Sequence, residues 1–407
     1  MTPPRNSRNV NWGKPPWTVA FHALQKPLPE RVDFVIVGGG FSGLSAAAPL
    51  KRYAPAKSVL LLEAGNLGNG ASGHTGGMAL DETAAGPLRG AEKVLAAYRR
   101  ILRRMRVQAG ASFPGAWEIG RGGAAPSLEG EPKPLTFKKV SAISWFDSGH
   151  LRIVRKVPGG TIDPGNFLTG LARAAQNAGV HIAEDAEVRA IDFTVPVKLH
   201  VEQKSGRGKQ RQVVIADRVL LATNAGAIAA AAIPKGASPR LTFALATAPL
   251  TRKQISALGL TTPQAFYTVD LPYLWGRRFA GNRLIFGSGL VPAFGESLPR
   301  SARRKQQLWS GLERLTIRKG EPAARLRSLE QRVRGLHPVL KDVRITHRWC
   351  GPILITEGWH PVFRRHPKSS RVIVLGGFSG HGVALSVFLG RWAAAALLGR
   401  RALPRWG

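Results

Sequence analysis

Cysteine is almost missing from this 407-residue chain, where Cys350 stands alone. No intrachain disulfide can form, so a disulfide scaffold is excluded and a reducing, cytoplasmic setting is expected. Long apolar runs are missing as well. Nothing approaches the roughly 20 residues that a membrane-spanning helix needs. The apolar patch near the N-terminus, residues 17–24, is short and broken by His22, so neither a membrane span nor a signal peptide is expected. No internal repeat and no long low-complexity tract is present, and no metal centre is expected. Acidic residues are scarce: 24 Asp plus Glu face 59 Lys plus Arg, a formal net charge of +35. A field of that sign attracts anionic ligands and polyanions such as RNA. The basic residues are nevertheless spread along the chain, as on solvated faces, with one denser run from Arg300 to Lys319.

Glycine is what the chain has in plenty. With 47 Gly, 29 Pro and an apolar fraction of 44%, it reads as a globular, loop-rich α/β protein, and its length suits two interleaved domains. Residues 1–30, carrying Pro15, Pro16, Pro27 and Pro29, read as an arm laid over the body. From Arg31 a short β-branched run, VDFVIV, leads into a glycine turn, a small-residue helix and a second apolar strand, SVLLLE. That order is the opening β-α-β of a Rossmann-like parallel sheet. RVLLATNA (residues 218–225) reads as a further buried parallel strand, and the strand, glycine turn and helix near the C-terminus bring the chain back to the same sheet. Between them, from Leu241 to Gly289, period-two alternation predicts an antiparallel sheet. Residues 31–95, 160–232 and 345–400 are therefore assigned to a dinucleotide-binding domain, and 96–159 and 233–344 to a substrate domain.

Gly38, Gly40 and Gly43 form G-x-G-x-x-G between strand and helix. The first permits a tight turn, the second lets backbone approach a pyrophosphate, and the third lets helix and strand close up. The turn's N–H groups, with Phe41 and Ser42 opening the helix, then face the phosphates. Glu63, twenty positions after Gly43, stands where a carboxylate accepts from an adenosine ribose, with Ala64 beside it. Pro49 falls inside the helix and is expected to kink or end it. A second glycine-rich loop follows, in which Gly70, Ala71, Ser72, Gly73, Gly76 and Gly77 let backbone lie against a flat ring.

This second loop, GNGASGHTGGM (residues 68–78), resembles the D-amino acid oxidase and glycine oxidase-like family of FAD-dependent oxidoreductases, and within it the gamma-glutamylputrescine oxidase-like branch most of all. The likeness continues through DPGNFLTGLARAAQNAGVHI, RVLLATNAG and YLWGRRFAGNRLIFGSG, and is strongest in GGFSGHGVAL (residues 376–385). It spans Arg31 to Gly399 and is weakest between Gly110 and Gly159. It implies FAD held by the turn, by His74 and Met78, by the backbone of Val188, by Thr223 and Asn224, and by Cys350 and Gly351. It further implies that the closing turn, Gly377, Phe378, Ser379, Gly380, His381 and Gly382, lies under the ring with a helix N-terminus at its pyrimidine edge. A noncovalent flavin is expected, with His74 or Cys350 as possible tethers. No second dinucleotide fingerprint is present, so the electrons are expected to come from a bound amine or amino acid, by hydride transfer to the flavin N5 and hydrolysis of the imine in solution.

On the substrate side, Tyr273, Trp275 and Arg278 are expected at the sheet rim as an aromatic wall and a cation, and His74 and His381 complete the catalytic candidates. Relatives resembling monomeric sarcosine oxidase carry a carboxylate-gripping lysine where this chain has Ala384, and a second lysine, for oxygen reduction, near Ile285. Both are absent, so the electron acceptor stays open. Two other readings stay open beside amine oxidation: an FAD oxidase acting on a modified uridine of tRNA, which the basic charge suits, and an FAD-binding sensor or scaffold without turnover.

Overall fold

The β-branched run Arg31–Val37 does become a strand, and it sits at the centre of a six-strand path in a computed structural model that describes residues 12–121, 133–134, 145–205, 208–227, 232–233, 236–292 and 311–406. Along this path run Val362–His366, Ser369–Gly376, Gly208–Leu221, Arg31–Val37, Val59–Leu62 and His181–Ala183. The last five pair in parallel. Val362–His366 closes one edge antiparallel, and Ala186–Asp192 with Val197–Ser205 extends Gly208–Leu221 as an antiparallel flap. Both faces of the parallel strands are buried, which explains why they read as unbroken apolar runs.

A second sheet runs Ile345–Ile355, Ser238–Thr247, Arg283–Pro292, Trp275–Phe279, Ala265–Thr268, Ala116–Arg121, Leu151–Val157, Lys133–Pro134. It is antiparallel apart from the parallel pair formed by Ala265–Thr268 and Ala116–Arg121. The fold is thus mixed α/β, a parallel sheet with an antiparallel one interleaved. Part of the basic run, residues 300–310, lies outside the described residues, as does most of 122–144.

Seven helices matter below: α1 (Phe41–Tyr53), α2 (Ala71–His74), α3 (Val94–Met105), α4 (Pro164–Asn177), α5 (Arg252–Ala257), α6 (Gly320–Gly335) and α7 (Gly382–Leu397). Helix α1 runs through Pro49 to Tyr53 and does not end there. Residues 41–50 are all buried, and α7 packs so closely on α1 that a Cβ on Gly390 would sit 2.4 Å from the Ser42 carbonyl oxygen. That packing outweighs the one backbone bond Pro49 cannot make. Two segments lie elsewhere than the sequence division placed them. Strand Ile345–Ile355 pairs with Ser238–Thr247 in the antiparallel sheet. Helix α3 buries Tyr98, Ile101 and Leu102 in the same core as α7, because its apolar face matches the flank of the parallel sheet.

Candidate active site

Strand Arg31–Val37 delivers the first glycine turn to the carboxyl edge of the parallel sheet, the usual place for a ligand in such folds. Gly38 has φ +109°, and a Cβ there would stand 2.6 Å from the Ala222 carbonyl oxygen. A Cβ on Gly43 would lie 2.0 Å from the Gly38 carbonyl oxygen, so only glycine lets α1 start this close to the strand. Glu63, at the end of Val59–Leu62, accepts from Gly39 N at 2.8 Å and from Gly65 N at 3.1 Å. It thus braces the turn. The second glycine loop is tied to the first by Phe41 N, which donates to Ser72 Oγ at 3.0 Å. Two tryptophans hold its far side: Trp17 Nε1 donates to Gly73 O at 2.7 Å and Trp349 Nε1 to His74 O at 3.0 Å.

The closing turn comes to the same place from the C-terminal end. Asn224 Oδ1 accepts from Gly377 N at 2.9 Å, and Ser379 Oγ lies 3.0 Å from Thr356 Oγ1. His381 occupies the N-cap position of α7, its Nδ1 donating to Ser379 O at 3.1 Å. His74 Nδ1 donates to Gly70 O at 2.9 Å. Since a carbonyl only accepts, both rings are the Nδ1–H tautomer with Nε2 as the free acceptor. Burial holds both imidazoles below their ordinary pKa, hence neutral.

These elements enclose a cavity of about 1340 Å³. One end is walled by the turn, Glu63, Val188, Thr223 and Asn224. The middle holds Ala71, Ser72, His74, Gly76, Met78, Gly351 and the closing turn from Phe378 to Gly382. Its far end is aromatic: Tyr273, Trp275 and Trp349, with Tyr267 beyond them. Apolar side chains ring the mouth, among them Leu271, 85% exposed, and Trp359, 47% exposed. Gly43, Gly73, Gly77 and Gly377 shape these loops from behind without lining the cavity. The volume exceeds the roughly 300–1,000 Å³ of ordinary small-ligand pockets. Two hydroxyls in its wall, Thr223 Oγ1 and Ser386 Oγ, are buried without a hydrogen-bond partner among the described residues. A long ligand carrying polar groups along its length fits this wall; a purely apolar one would leave both hydroxyls unsatisfied.

Two expectations need correcting. Cys350 faces away from the cavity: Trp349 and Gly351 on either side line it, whereas Cys350 lies in the apolar core and burial pushes its thiol up. Period-two alternation along Ile345–Ile355 excludes it as a tether. Arg278 likewise turns from the cavity and donates to Leu260 O and Thr261 O at 3.1 and 3.3 Å. The guanidinium on Trp275's side of the strand is Arg277, 3% exposed, stacked 5.0 Å from the Phe279 ring centre and brought down to about 10 by burial. The same alternation could have distinguished the two.

The sequence did not point to the ion-pair network behind the far end. Buried Arg121 pairs with Asp147 at 2.5 Å and Asp270 at 2.5 Å, and Arg332 of α6 pairs with Asp147 at 2.6 Å. Arg332 also donates to Pro272 O and Tyr273 O, so the network fixes the loop that carries Tyr273. Nearby, Tyr267 donates to Glu118 at 2.8 Å, and Glu118 in turn accepts from Arg155. These partners come from four distant stretches of chain, and no local spacing announces them.

The family model described as DAO, FAD dependent oxidoreductase, matches residues 33–396. A probable oxidoreductase, OrdL, of Haemophilus influenzae is 27% identical over 97% of this chain and 87% of its own length. The gamma-glutamylputrescine oxidoreductase of Escherichia coli is 26% identical over 90% of this chain and 84% of its own. Among solved structures, glycine oxidase from Geobacillus kaustophilus superposes with a TM-score of 0.66 at 19% identity, covering 92% of this chain and 96% of that one. The amino acid oxidase NikD of nikkomycin biosynthesis superposes with a TM-score of 0.67 at 16% identity, covering 92% and 95%.

Proposed function

This chain belongs to the DAO family of FAD dependent oxidoreductases, and we propose that it oxidises the C–N bond of an amine whose body is apolar, bound at the aromatic end of the cavity. When bound, FAD supplies the acceptor for the hydride that leaves the carbon next to nitrogen, and passes the electrons on to oxygen or another acceptor. The residues present suit that cofactor. The turn from Gly38 to Ser42 and the start of α1 would hold the pyrophosphate, Glu63 the ribose, and Val188 the adenine. The orphan hydroxyls of Thr223 and Ser386 have polar atoms to meet, and the α7 N-terminus offers its positive end to developing negative charge. His74 stays a candidate tether, because its Nε2 keeps a free lone pair.

One observation carries the substrate reading: the described arginines that line the cavity are already engaged. Arg332 is held by Asp147, and Arg325 pairs with Glu321 at 3.1 Å. Ala384 and Ile285 are both buried and apolar. No described arginine that lines the cavity is left unpaired, and Arg277, whose Nε and Nη2 have no hydrogen-bond partner among the described residues, stands outside that lining, so an α-carboxylate against this wall is costly to bury. An apolar amine meets Trp275, Trp349 and Tyr273 instead. Desolvation there favours the neutral amine over the ammonium, so the proton is shed on entry and no strong protein base is needed. The wall excludes water from the reacting carbon, and the imine is hydrolysed after release. Among the described residues no helix is long and apolar enough to cross a membrane, and the single buried cysteine suits a cytoplasmic setting.

The test compares matched pairs, each an apolar amine and the amino acid that adds only an α-carboxylate. kcat/KM is expected to favour the amine by about tenfold or more, the equivalent of ~1.4 kcal/mol. Preference for the amino acid would overturn the reading.

A further inference from the structure

We propose that a basic cleft between α3 and α7, separate from the large cavity, binds a compact phosphate-bearing anion, of the polyphosphate or phosphate-ester class. The cleft encloses about 320 Å³ and shares no lining residue with the larger cavity. Four arginines line it: Arg100 and Arg104 from α3, Arg391 from α7, and Arg401 from the segment after α7. None of the four forms an ion pair among the described residues. Arg100 and Arg104 stand four apart on one helix, a spacing at which like charges repel. Glu92 is the acid that acts on Arg401, and its carboxylate is already accepting from Gly90 N at 2.7 Å.

The fourth arginine is held in place and does not hang free. Arg401 lies 3.3 Å from the Trp392 ring centre, and Trp392 Nε1 donates to Ala402 O at 2.7 Å. The same segment is fastened by Arg400, which donates to Tyr53 O at 2.9 Å, and by Trp406 Nε1, which donates to Arg89 O at 2.8 Å. Arg401 is held by Trp392, Phe388 and the Gly90 carbonyl, and no carboxylate among the described residues forms an ion pair with any of the four. A multivalent oxyanion satisfies them together, since the guanidinium fork matches phosphate oxygens two at a time. The size and the covered aromatic floor favour a small anion over a nucleic-acid strand. Trp392 is 6% exposed beneath Arg401, so it offers no free face on which a base could stack.

The test is calorimetric titration of the FAD-loaded protein with sodium tripolyphosphate at about 50 mM and about 200 mM salt, a range over which phosphate contacts weaken steeply. Saturable binding of one anion per chain is expected, weakened by salt, and weakened at least tenfold in R100Q/R104Q. A control pair on another exposed basic stretch, R252Q/K253Q on α5, is expected to bind as the parent does. Should R100Q/R104Q fold poorly, Arg391→Gln alone serves and is expected to weaken binding several-fold. No saturable binding at the lower salt would overturn the proposal. So would equal weakening by both pairs, which would mean diffuse charge only. Tight binding of a single-stranded RNA that R252Q/K253Q also weakens would contradict it too, and point to a nucleic-acid surface spread over the molecule.

Discussion

At the glycine-turn end of the cavity the walls are mostly backbone; at the aromatic end they are mostly side chains. The first end is made by three glycine turns and two helix starts, each encoded within about a dozen consecutive residues. The second draws Trp275 and Trp349 from two strands and Tyr273 from a loop, and rests on Arg121, Asp147, Asp270 and Arg332. The two ends therefore answer to different physics. One depends on the absence of Cβ atoms and on exposed N–H groups. The other depends on packing and on charges paired out of water, where removing one partner leaves the other stranded.

The largest effect is expected from breaking the side-chain end. Arg121→Met removes one of Asp147's two arginine partners and the arginine that pairs with Asp270, and is expected to lower unfolding free energy by about 3 kcal/mol in a urea titration. A loss below about 1 kcal/mol would show that Arg332 alone can hold Asp147. Next comes the backbone end. Gly43→Ala puts a Cβ 2.0 Å from the Gly38 carbonyl oxygen, which requires backbone movement and costs about 1–3 kcal/mol. Its sharper signature is loss of flavin per chain after gel filtration, an effect that Arg121→Met should not share to the same degree.

A smaller effect is expected with pH. His74 and His381 both have folded-state pKa values lowered by burial, so the folded protein resists taking up their protons. Their contribution to stability is complete above the unfolded value of about 6.5 and is lost as pH falls below it toward the folded values. Thermal midpoints of the FAD-loaded protein should therefore drop below about pH 6.5, and His74→Asn should flatten part of that slope. A slope unchanged in the variant would remove His74 from the account. The smallest effect is expected from Arg278→Ala, which leaves the cavity intact and should change kcat/KM by no more than about twofold. A loss of a hundredfold would mean that the side chain reaches the substrate after all.

The contrast also explains what could be read in advance. The Gly38, Gly40 and Gly43 turn, Glu63, the second glycine loop and the closing turn were legible because each is local: residue type and spacing alone state that backbone must come close to something. The parallel and antiparallel sheets were legible from unbroken and alternating apolar runs. Cys350 and Arg278 were misplaced by one step of strand alternation, which decides the face and which a motif read as a string does not carry. Pro49 was overruled by the packing of α7 on α1. Arg277 follows from the same alternation, whereas the network from Arg121 to Arg332 joins side chains up to 185 residues apart in sequence.

The most direct measurement of the central claim is anaerobic mixing of the purified protein with apolar primary and secondary amines while its visible flavin absorbance is followed. The account predicts a yellow protein holding one FAD per chain, bleached by at least one such amine and restored by an oxidant. A protein that binds no FAD on reconstitution, or whose bound flavin no amine or amino acid reduces, would contradict it.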